Sequence, residues 1–142
     1  MSDVHSKEQR SYNMSRIRSK DTKPESIVRK FLFSKGLRYR KNDKRYAGKP
    51  DIILPKYNTA VFIHGCFWHK HIGCKYFVPP KSNTDFWESK LENNRIRDEN
   101  NITQLENSGW HIIVVWECEL KKTVRDKRLE RLYEEITLVR ER

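Results

Sequence analysis

Hydrophobic residues first recur at helical spacing after residue 22. The segment has Pro24 and Glu25 near its start, Gly36 after its end, and apolar residues at Ile27, Val28, Phe31 and Leu32. Proline and an acidic residue favour a helix start and glycine favours a helix stop, so the pattern predicts a helix over residues 23–35. Residues 37–40 are predicted to form a short strand.

Two β-branched, apolar runs at residues 51–54 and 59–64 are separated by a turn sequence and predict a hairpin. If Leu54 pairs with Thr59, Asp51 lies opposite Phe62 and diagonal to His64 on one face of the sheet. An aspartate and a histidine would then face one pocket.

Residues 84–108 have broken helical periodicity and precede Gly109, which predicts a long helix. Residues 110–116 are apolar on both faces apart from His111, as expected for a central strand reached by a parallel crossover. The resulting order αβββαβα predicts an α/β fold with a small mixed β-sheet flanked by helices.

The length of 142 residues predicts a single domain. Residues 1–20 are polar and irregular, which is typical of an arm that orders on a partner, and residues 121–142 are predicted to contain a covering helix. The first twenty residues have no apolar run like that of a signal peptide, so a cytoplasmic location is expected. Three cysteines in that compartment favour metal binding, catalysis or burial over disulfides.

The net charge of +11 is concentrated in residues 1–50, which hold fifteen basic and five acidic residues. Basic charge of this density indicates a polyanionic partner, most simply nucleic acid. The alternative is a basic surface that serves only solubility.

Residues 64–74 contain three histidines, two cysteines and an adjacent aromatic pair. Thiolate and imidazole are the ligands that zinc prefers, and four of them complete a structural site. The predicted set is Cys66, His71, Cys74 and Cys118, with His69 as an alternative to His71. The simpler interpretation is that the cysteines are small buried hydrophobes.

Other side chains suggest phosphate chemistry and DNA contact. Asp51, His64 and Glu25 form a weak pattern for metal-dependent phosphodiester cleavage, in which Mg²⁺ bridges a carboxylate and a phosphate. Glu25 could instead favour only its helix N-terminus. Large aromatic and polar side chains could contact DNA bases, with core packing or a solvated helix face as alternatives: Phe67, Trp68, Trp87, Lys90 and Asn94.

These motifs closely resemble those of the very-short-patch repair (Vsr) endonucleases. The likeness runs from about Asp3 to Leu120 and depends on several sequence blocks: Asn13-Met14, Arg16, Asp21-Thr22 to Glu25, Pro50-Asp51, His64-Gly65-Cys66-Phe67-Trp68-His69, Phe86-Trp87 and Trp116-Glu117-Cys118. The resemblance implies a fold similar to that of PD-(D/E)xK restriction endonucleases. It also implies a magnesium-dependent, strand-specific enzyme that nicks 5′ to the thymine of T:G mismatches.

Such mismatches arise when 5-methylcytosine deaminates, so the resemblance implies a functional pairing with a DNA cytosine-5 methyltransferase. Mismatch-repair proteins are expected as further partners. The enzyme is expected to be a monomer and to lie in the bacterial cytoplasm, associated with the nucleoid. Association with a membrane is not expected.

The resemblance also implies residue roles. Asp51 would hold magnesium together with the backbone carbonyl of Ile63, His69 would accept a proton with support from Glu25, and His64 would assist at the scissile phosphate. Zinc would bind Cys66, His71, Cys74 and Cys118. The remaining implied roles are in DNA contact: Phe67, Trp68 and Trp87 as a wedge from the major groove, Met14 from the opposite side, and Lys90 and Asn94 beside the mismatched bases.

Three departures from the family pattern are present. Ile72-Gly73 makes the zinc loop one residue longer, and Gly73 would permit the resulting bulge. Ile63 stands where threonine is expected, and His64 lies at the strand end that would bear the PD-(D/E)xK lysine. The alternatives to a mismatch nicking enzyme are a DNA-binding module that does not cut and a restriction-type enzyme for intact duplex.

Overall fold

The computed structural model describes residues 23–139, with side chains to residue 138. The predicted arm at residues 1–20, which includes Met14, lies outside the described residues. The described part has three α-helices, four strands and two 3₁₀ turns: α1 (Lys23–Ser34), β1 (Arg40–Lys41), β2 (Ile52–Leu54), the turn Pro55–Tyr57, β3 (Thr59–His64), α2 (Thr84–Asn107), β4 (His111–Trp116), the turn Glu117–Leu120, and α3 (Arg125–Val139).

The four strands form one mixed sheet in the order β1-β2-β3-β4. Strands β1, β2 and β3 pair antiparallel, and Leu54 lies opposite Thr59, which confirms the predicted hairpin register. Strand β4 pairs parallel to β3, with His64 opposite Trp116, after the crossover through α2. The predicted small mixed sheet with flanking helices is therefore confirmed.

The prediction that β4 is a central strand is wrong, because among the described residues it lies at the edge of the sheet. Its apolar character has another cause. Trp110, just before the strand, packs edge-on against Tyr46 at 5.2 Å between ring centroids, and Trp116 stacks on His71. The Val114 carbonyl accepts a hydrogen bond from the Arg128 guanidinium. Aromatic side chains of the loops and helix α3 therefore contact β4, in place of the neighbouring strand that was expected.

The first strand is also displaced from its predicted position at residues 37–40, since β1 contains only Arg40 and Lys41. Gly36 adopts a φ of +83°, and the Leu37 amide donates back to the Leu32 carbonyl. This is the hydrogen bond of a glycine-terminated helix end. Leu37 therefore completes the end of α1 and becomes part of the core.

The core lies between the sheet and the two helices α1 and α3. Its fully buried members come from each of these elements: Val28, Leu32, Ile52, Leu54, Val61, Val115, Leu132 and Ile136. The final helix therefore covers the sheet, as its apolar pattern predicted.

An ion pair joins α3 to the 3₁₀ turn that follows β4. Arg128, only 6% exposed, pairs with Glu119 of that turn at 3.1 Å and with Glu135 of its own helix at 3.4 Å. Glu119 also accepts a 2.8 Å hydrogen bond from the Trp116 amide. These contacts hold the segment around Cys118 against the helix.

Candidate active site and metal centre

Two carboxylates meet at the end of the sheet where β2 begins. The Asp51 carboxylate accepts a 2.6 Å hydrogen bond from the Ile63 amide, and Glu25, 3% exposed, approaches from α1. Burial raises the pKa of Asp51 to about 7, against the lowering effect of the Ile63 hydrogen bond, and the negative charge of Glu25 raises it further. The site therefore disfavours two ionised carboxylates together.

A divalent cation would remove this conflict. Hard cations such as Mg²⁺ bind carboxylate and carbonyl oxygens, and Asp51 and Glu25 supply two desolvated carboxylates. Arg29 already pairs with Glu25 at 3.3 Å, so part of the negative charge is balanced within the protein. The donor chemistry of the site fits a cation held mainly by Asp51.

A second cluster combines two histidines and an aspartate. The rings of His64 and His69 stack at 3.9 Å with an interplanar angle of 3°, and His69 Nδ1 lies 2.5 Å from an Asp98 carboxylate oxygen. Burial, reinforced by the charge that His69 can carry, lowers the pKa of His64 to about 4. His64 is therefore a neutral imidazole at physiological pH.

The contact with Asp98 fixes the orientation of His69. An ionised carboxylate only accepts hydrogen bonds, so Nδ1 carries the proton and Nε2 is the nitrogen that can take up another. Ligand atoms of His64, His69 and Asp98 lie within 4.8 Å of one another, as in a metal site. However, the hydrogen bond commits His69 Nδ1 to Asp98, which is an arrangement suited to proton transfer.

Asp98 was missing from the residues selected from the sequence. A signal was present, because Leu91, Asp98 and Leu105 recur every seven residues along α2 and both leucines are buried. Residues at this spacing lie on one face of a helix. An aspartate between two core leucines therefore indicated a polar partner on the inner face.

Asp51 and His64 were predicted to face one pocket. Asp51 is bonded to the residue that precedes His64, so both lie at the same end of the sheet. Their described contacts differ: Asp51 interacts with Glu25 and Ile63, whereas the His64 ring contacts His69 and Trp116. The structure thus places the two groups side by side: the carboxylates contact Ile63 of β3, and the histidine group begins at the next residue, His64.

The four predicted zinc ligands converge in a third cluster. Ligand atoms of Cys66, His71, Cys74 and Cys118 all lie within 4.8 Å of one another, and Cys118 Sγ is 3.6 Å from His71 Nδ1. Sulfur and nitrogen ligands on one tetrahedral zinc would be separated by about 3.6 Å. His69 lies in the neighbouring cluster with Asp98, so the structure favours His71 over the alternative ligand.

The thiol environments also fit a cation. Burial raises the pKa of Cys66 to about 12 and raises that of Cys118. For Cys74, burial acts in the same direction, but hydrogen bonds from the Tyr76 amide and the neighbouring thiols make its pKa lower than usual. A bound metal would stabilise the thiolates against this desolvation, and the donor set of three sulfurs and one nitrogen suits zinc.

The loop that carries these ligands closes through local hydrogen bonds. The His71 amide donates a hydrogen bond to the Cys66 backbone carbonyl at 2.9 Å, and the Cys74 amide donates one to the His71 backbone carbonyl at 3.2 Å. Gly73 adopts a φ of +81°, the conformation that was expected to accommodate the additional residue. The His71 ring stacks on Trp116 at 3.9 Å.

The predicted wedge residues form an aromatic cluster next to these sites. Phe67 contacts Trp68 at 5.0 Å and Trp87 at 5.6 Å, and the two tryptophans are 6.0 Å apart. These three side chains are half-buried against one another, whereas their loop positions suggested that they would be exposed. Phe86 packs on Trp87 and is 60% exposed.

Helix α2 anchors this loop at several points. Asn94 donates a 3.1 Å hydrogen bond from its side-chain amide to the Trp68 carbonyl, and Lys70 forms a 2.6 Å ion pair with Glu92. Lys90 is exposed on the same helix. In the structure Asn94 therefore holds the aromatic loop, a contact that the sequence pattern did not indicate.

Comparison with known proteins decides the family. The family model described as DNA mismatch endonuclease Vsr matches residues 2–75. The chain belongs to the Vsr family. It is 58% identical over 137 residues to the type II nicking enzyme V.NmeAIP of Neisseria meningitidis serogroup A, covering 96% of this chain and 97% of the relative.

Two further relatives extend this comparison. The DNA mismatch endonuclease Vsr of Escherichia coli K12 is 40% identical over 137 residues, covering 94% of this chain and 87% of its own length. The type II nicking enzyme V.XorIIP of Xanthomonas oryzae pv. oryzae is 47% identical over 120 residues, covering 84% and 88%.

Family membership confirms the resemblance and the restriction-endonuclease-like α/β fold. The protein is a DNA endonuclease, a hydrolase of phosphodiester bonds. Among the described helices, none combines the length and the apolar character needed to cross a membrane.

The metal centre predicts different effects for two neighbouring histidines. His71→Ala should lose zinc, from about one ion per chain to well below that, because one of four ligands is removed. His69→Ala is the matched control and should keep its zinc, since His69 contacts Asp98 and His64. Elemental analysis after dialysis measures both, and zinc loss from the His69 variant alone would contradict the assignment.

The carboxylate site predicts a pH-dependent stability. The folded-state pKa of Asp51, about 7, exceeds its ordinary value of 3.8, so the folded protein retains a proton that the unfolded chain releases. Ionisation of Asp51 therefore costs stability increasingly from about pH 4 to about pH 7. Without divalent cations at pH 8, Asp51→Asn should be more stable than wild type by up to about 4 kcal/mol, and less so toward pH 4.

Urea unfolding at several pH values measures this difference. Asp43→Asn is the control, because the hydrogen bonds from Arg45 lower the pKa of Asp43 to about 2 and its neutralisation should give no gain at pH 8. Equal stability of the Asp51 variant and wild type at pH 8 would show that Asp51 is not desolvated.

Proposed function

We propose that this Vsr-family enzyme nicks one strand of duplex DNA on the 5′ side of the thymine in T:G mismatches, and so initiates very-short-patch repair of deaminated 5-methylcytosine. One observation carries the proposal. The Asp51 carboxylate is hydrogen-bonded to Ile63, directly before His64, so a cation-binding carboxylate and a histidine pair meet at one end of β3. The names of two relatives, type II nicking enzymes, support cleavage of a single strand.

Magnesium is the proposed catalytic cofactor. Asp51 and the Ile63 carbonyl would hold it, and the bound ion would supply positive charge to a phosphate that is being cleaved. Zinc is proposed to be structural, because Cys66, His71, Cys74 and Cys118 complete its coordination and leave no open position for substrate.

Proton transfer is assigned to the histidine group. Asp98 holds Nδ1 of His69, so Nε2 can accept a proton from the attacking water. Glu25 is buried beside Asp51 on α1, and we assign it the role of supporting His69. His64 is neutral because of its lowered pKa, and it assists at the scissile phosphate as an uncharged hydrogen-bonding group.

Mismatch recognition is assigned to the aromatic cluster. Unstacking costs less free energy at a T:G mismatch than at a correctly paired base, and aromatic rings inserted between bases recover stacking energy. Phe67, Trp68 and Trp87 are proposed to insert from the major groove, with Met14 on the opposite side. The mismatched bases would be contacted by Lys90 and by Asn94, whose amide also braces Trp68.

The proposed substrate implies the biological setting. Deaminated 5-methylcytosine arises where a DNA cytosine-5 methyltransferase acts, so we propose that the two enzymes function together, with mismatch-repair proteins as further partners. The enzyme would act as a monomer on the bacterial nucleoid, in the cytoplasm.

The decisive experiment is strand-specific nick mapping. Purified protein with Mg²⁺ is incubated with end-labelled duplexes that carry T:G, T:A, C:G or A:C at one position in several flanking sequences. The proposal predicts a nick only 5′ to the thymine of T:G. Asp51→Asn should bind the same duplex but cut it at a rate lower by at least about 10²-fold.

Two results would contradict the proposal. Cleavage of the fully paired duplexes at the same rate would favour a restriction-type enzyme. Tight T:G binding without any cleavage in Mg²⁺, by the wild type as well as by Asp51→Asn, would favour a recognition module.

A further inference from the structure

The zinc centre carries a basic surface that has no role in the site described above. Tyr76 is 44% exposed, and two ammonium groups lie over its ring: Lys121 Nζ at 4.7 Å and Lys75 Nζ at 5.2 Å from the centroid. We call Lys75, Tyr76 and Lys121 the lysine–tyrosine surface.

The two lysines come from distant parts of the sequence and meet through the zinc ligands. Lys75 follows Cys74, and Lys121 follows the 3₁₀ turn that contains Cys118. The Tyr76 amide also hydrogen-bonds to Cys74 Sγ at 3.4 Å. The surface is therefore held by the same cysteine and histidine cluster that holds the loop of residues 65–74.

The charge of this surface is not balanced within the described part of the protein. Residues 23–138 provide no ion pair for Lys75 or Lys121, as for most lysines of this part of the chain. The ring of Tyr76 attracts both ammonium groups, and a bound phosphate would supply the negative charge that the described ion pairs do not.

The neighbouring residue links this surface to the proposed wedge. Phe77 follows Tyr76 and its ring lies 6.4 Å from that of Phe67. A duplex engaged by Phe67 and Trp68 would extend past this position, and its backbone presents one phosphate for every nucleotide. We propose that the lysine–tyrosine surface binds the DNA phosphate backbone beside the mismatch, an inference that rests on the proposed duplex substrate.

A phosphate contact of this kind positions DNA without reading its sequence. It should therefore contribute equally to binding of mismatched and paired duplexes. It would also align the duplex with the wedge, since a zinc ion held by Cys66 and Cys74 would connect the two surfaces.

The test is the salt dependence of duplex binding. Fluorescence anisotropy without added Mg²⁺ gives Kd for T:G and fully paired duplexes over a range of salt concentrations. Each lost phosphate contact lowers the slope of log Kd against log salt concentration by about 0.9. The double variant Lys75→Gln/Lys121→Gln should therefore reduce the slope by about 2 on both duplexes, with an unchanged T:G preference.

Lys56→Gln is the matched control. Lys56 is also an exposed lysine over a tyrosine ring, at 5.8 Å from Tyr57, but it lies at the opposite end of β3 from His64. It should bind with the wild-type slope. Zinc content and melting temperature of each variant verify that the fold is retained.

A wild-type slope for the double variant would overturn the inference, as would an equal decrease for Lys56→Gln. A different result would contradict the proposed function: a wild-type protein that shows no preference for T:G over paired duplex. In that case the salt slopes still measure whether these lysines contact phosphate.

Discussion

The parallel pairing of β3 with β4 is the constraint on which the site depends. It places His64 opposite Trp116, so the last residue of each strand projects at the same end of the sheet. The Trp116 ring meets His64 at 5.1 Å and stacks on His71 at 3.9 Å, while Cys118 follows it by two residues. One strand register thus joins His64, the imidazole proposed to act on phosphate, to the cluster of proposed zinc ligands.

Helix α2 supplies the opposing support, because it connects the paired strands and returns over the loop between them. Asp98 holds His69, Glu92 holds Lys70, and Asn94 holds the Trp68 carbonyl. The loop is therefore held on two sides, by the cluster of Cys66, His71, Cys74 and Cys118 and by polar side chains of the helix. Such preorganisation is what catalysis and base insertion both require, since neither tolerates displacement of the reacting groups.

Much of the fold could be predicted from local signals. The Leu54–Thr59 register followed from turn length, and the convergence of Cys66, His71, Cys74 and Cys118 was indicated by residue type and spacing. The edge position of β4 could not be predicted, because an apolar run does not distinguish burial by a strand from burial by loop aromatics such as Tyr46. The spacing of Asp98 between two buried leucines indicated that it has a polar partner, but the partner, His69, is twenty-nine residues away and is identified only by the tertiary fold.

The central claim is that Trp116 couples the metal centre to the catalytic histidines. The measurement that tests it most directly is the nicking rate of Trp116→Leu at full zinc occupancy on a T:G duplex. We expect a folded, zinc-loaded protein that nicks slower by at least about tenfold, because His64 and the His71 loop lose their shared support. A zinc-loaded variant that nicks at the wild-type rate would contradict it.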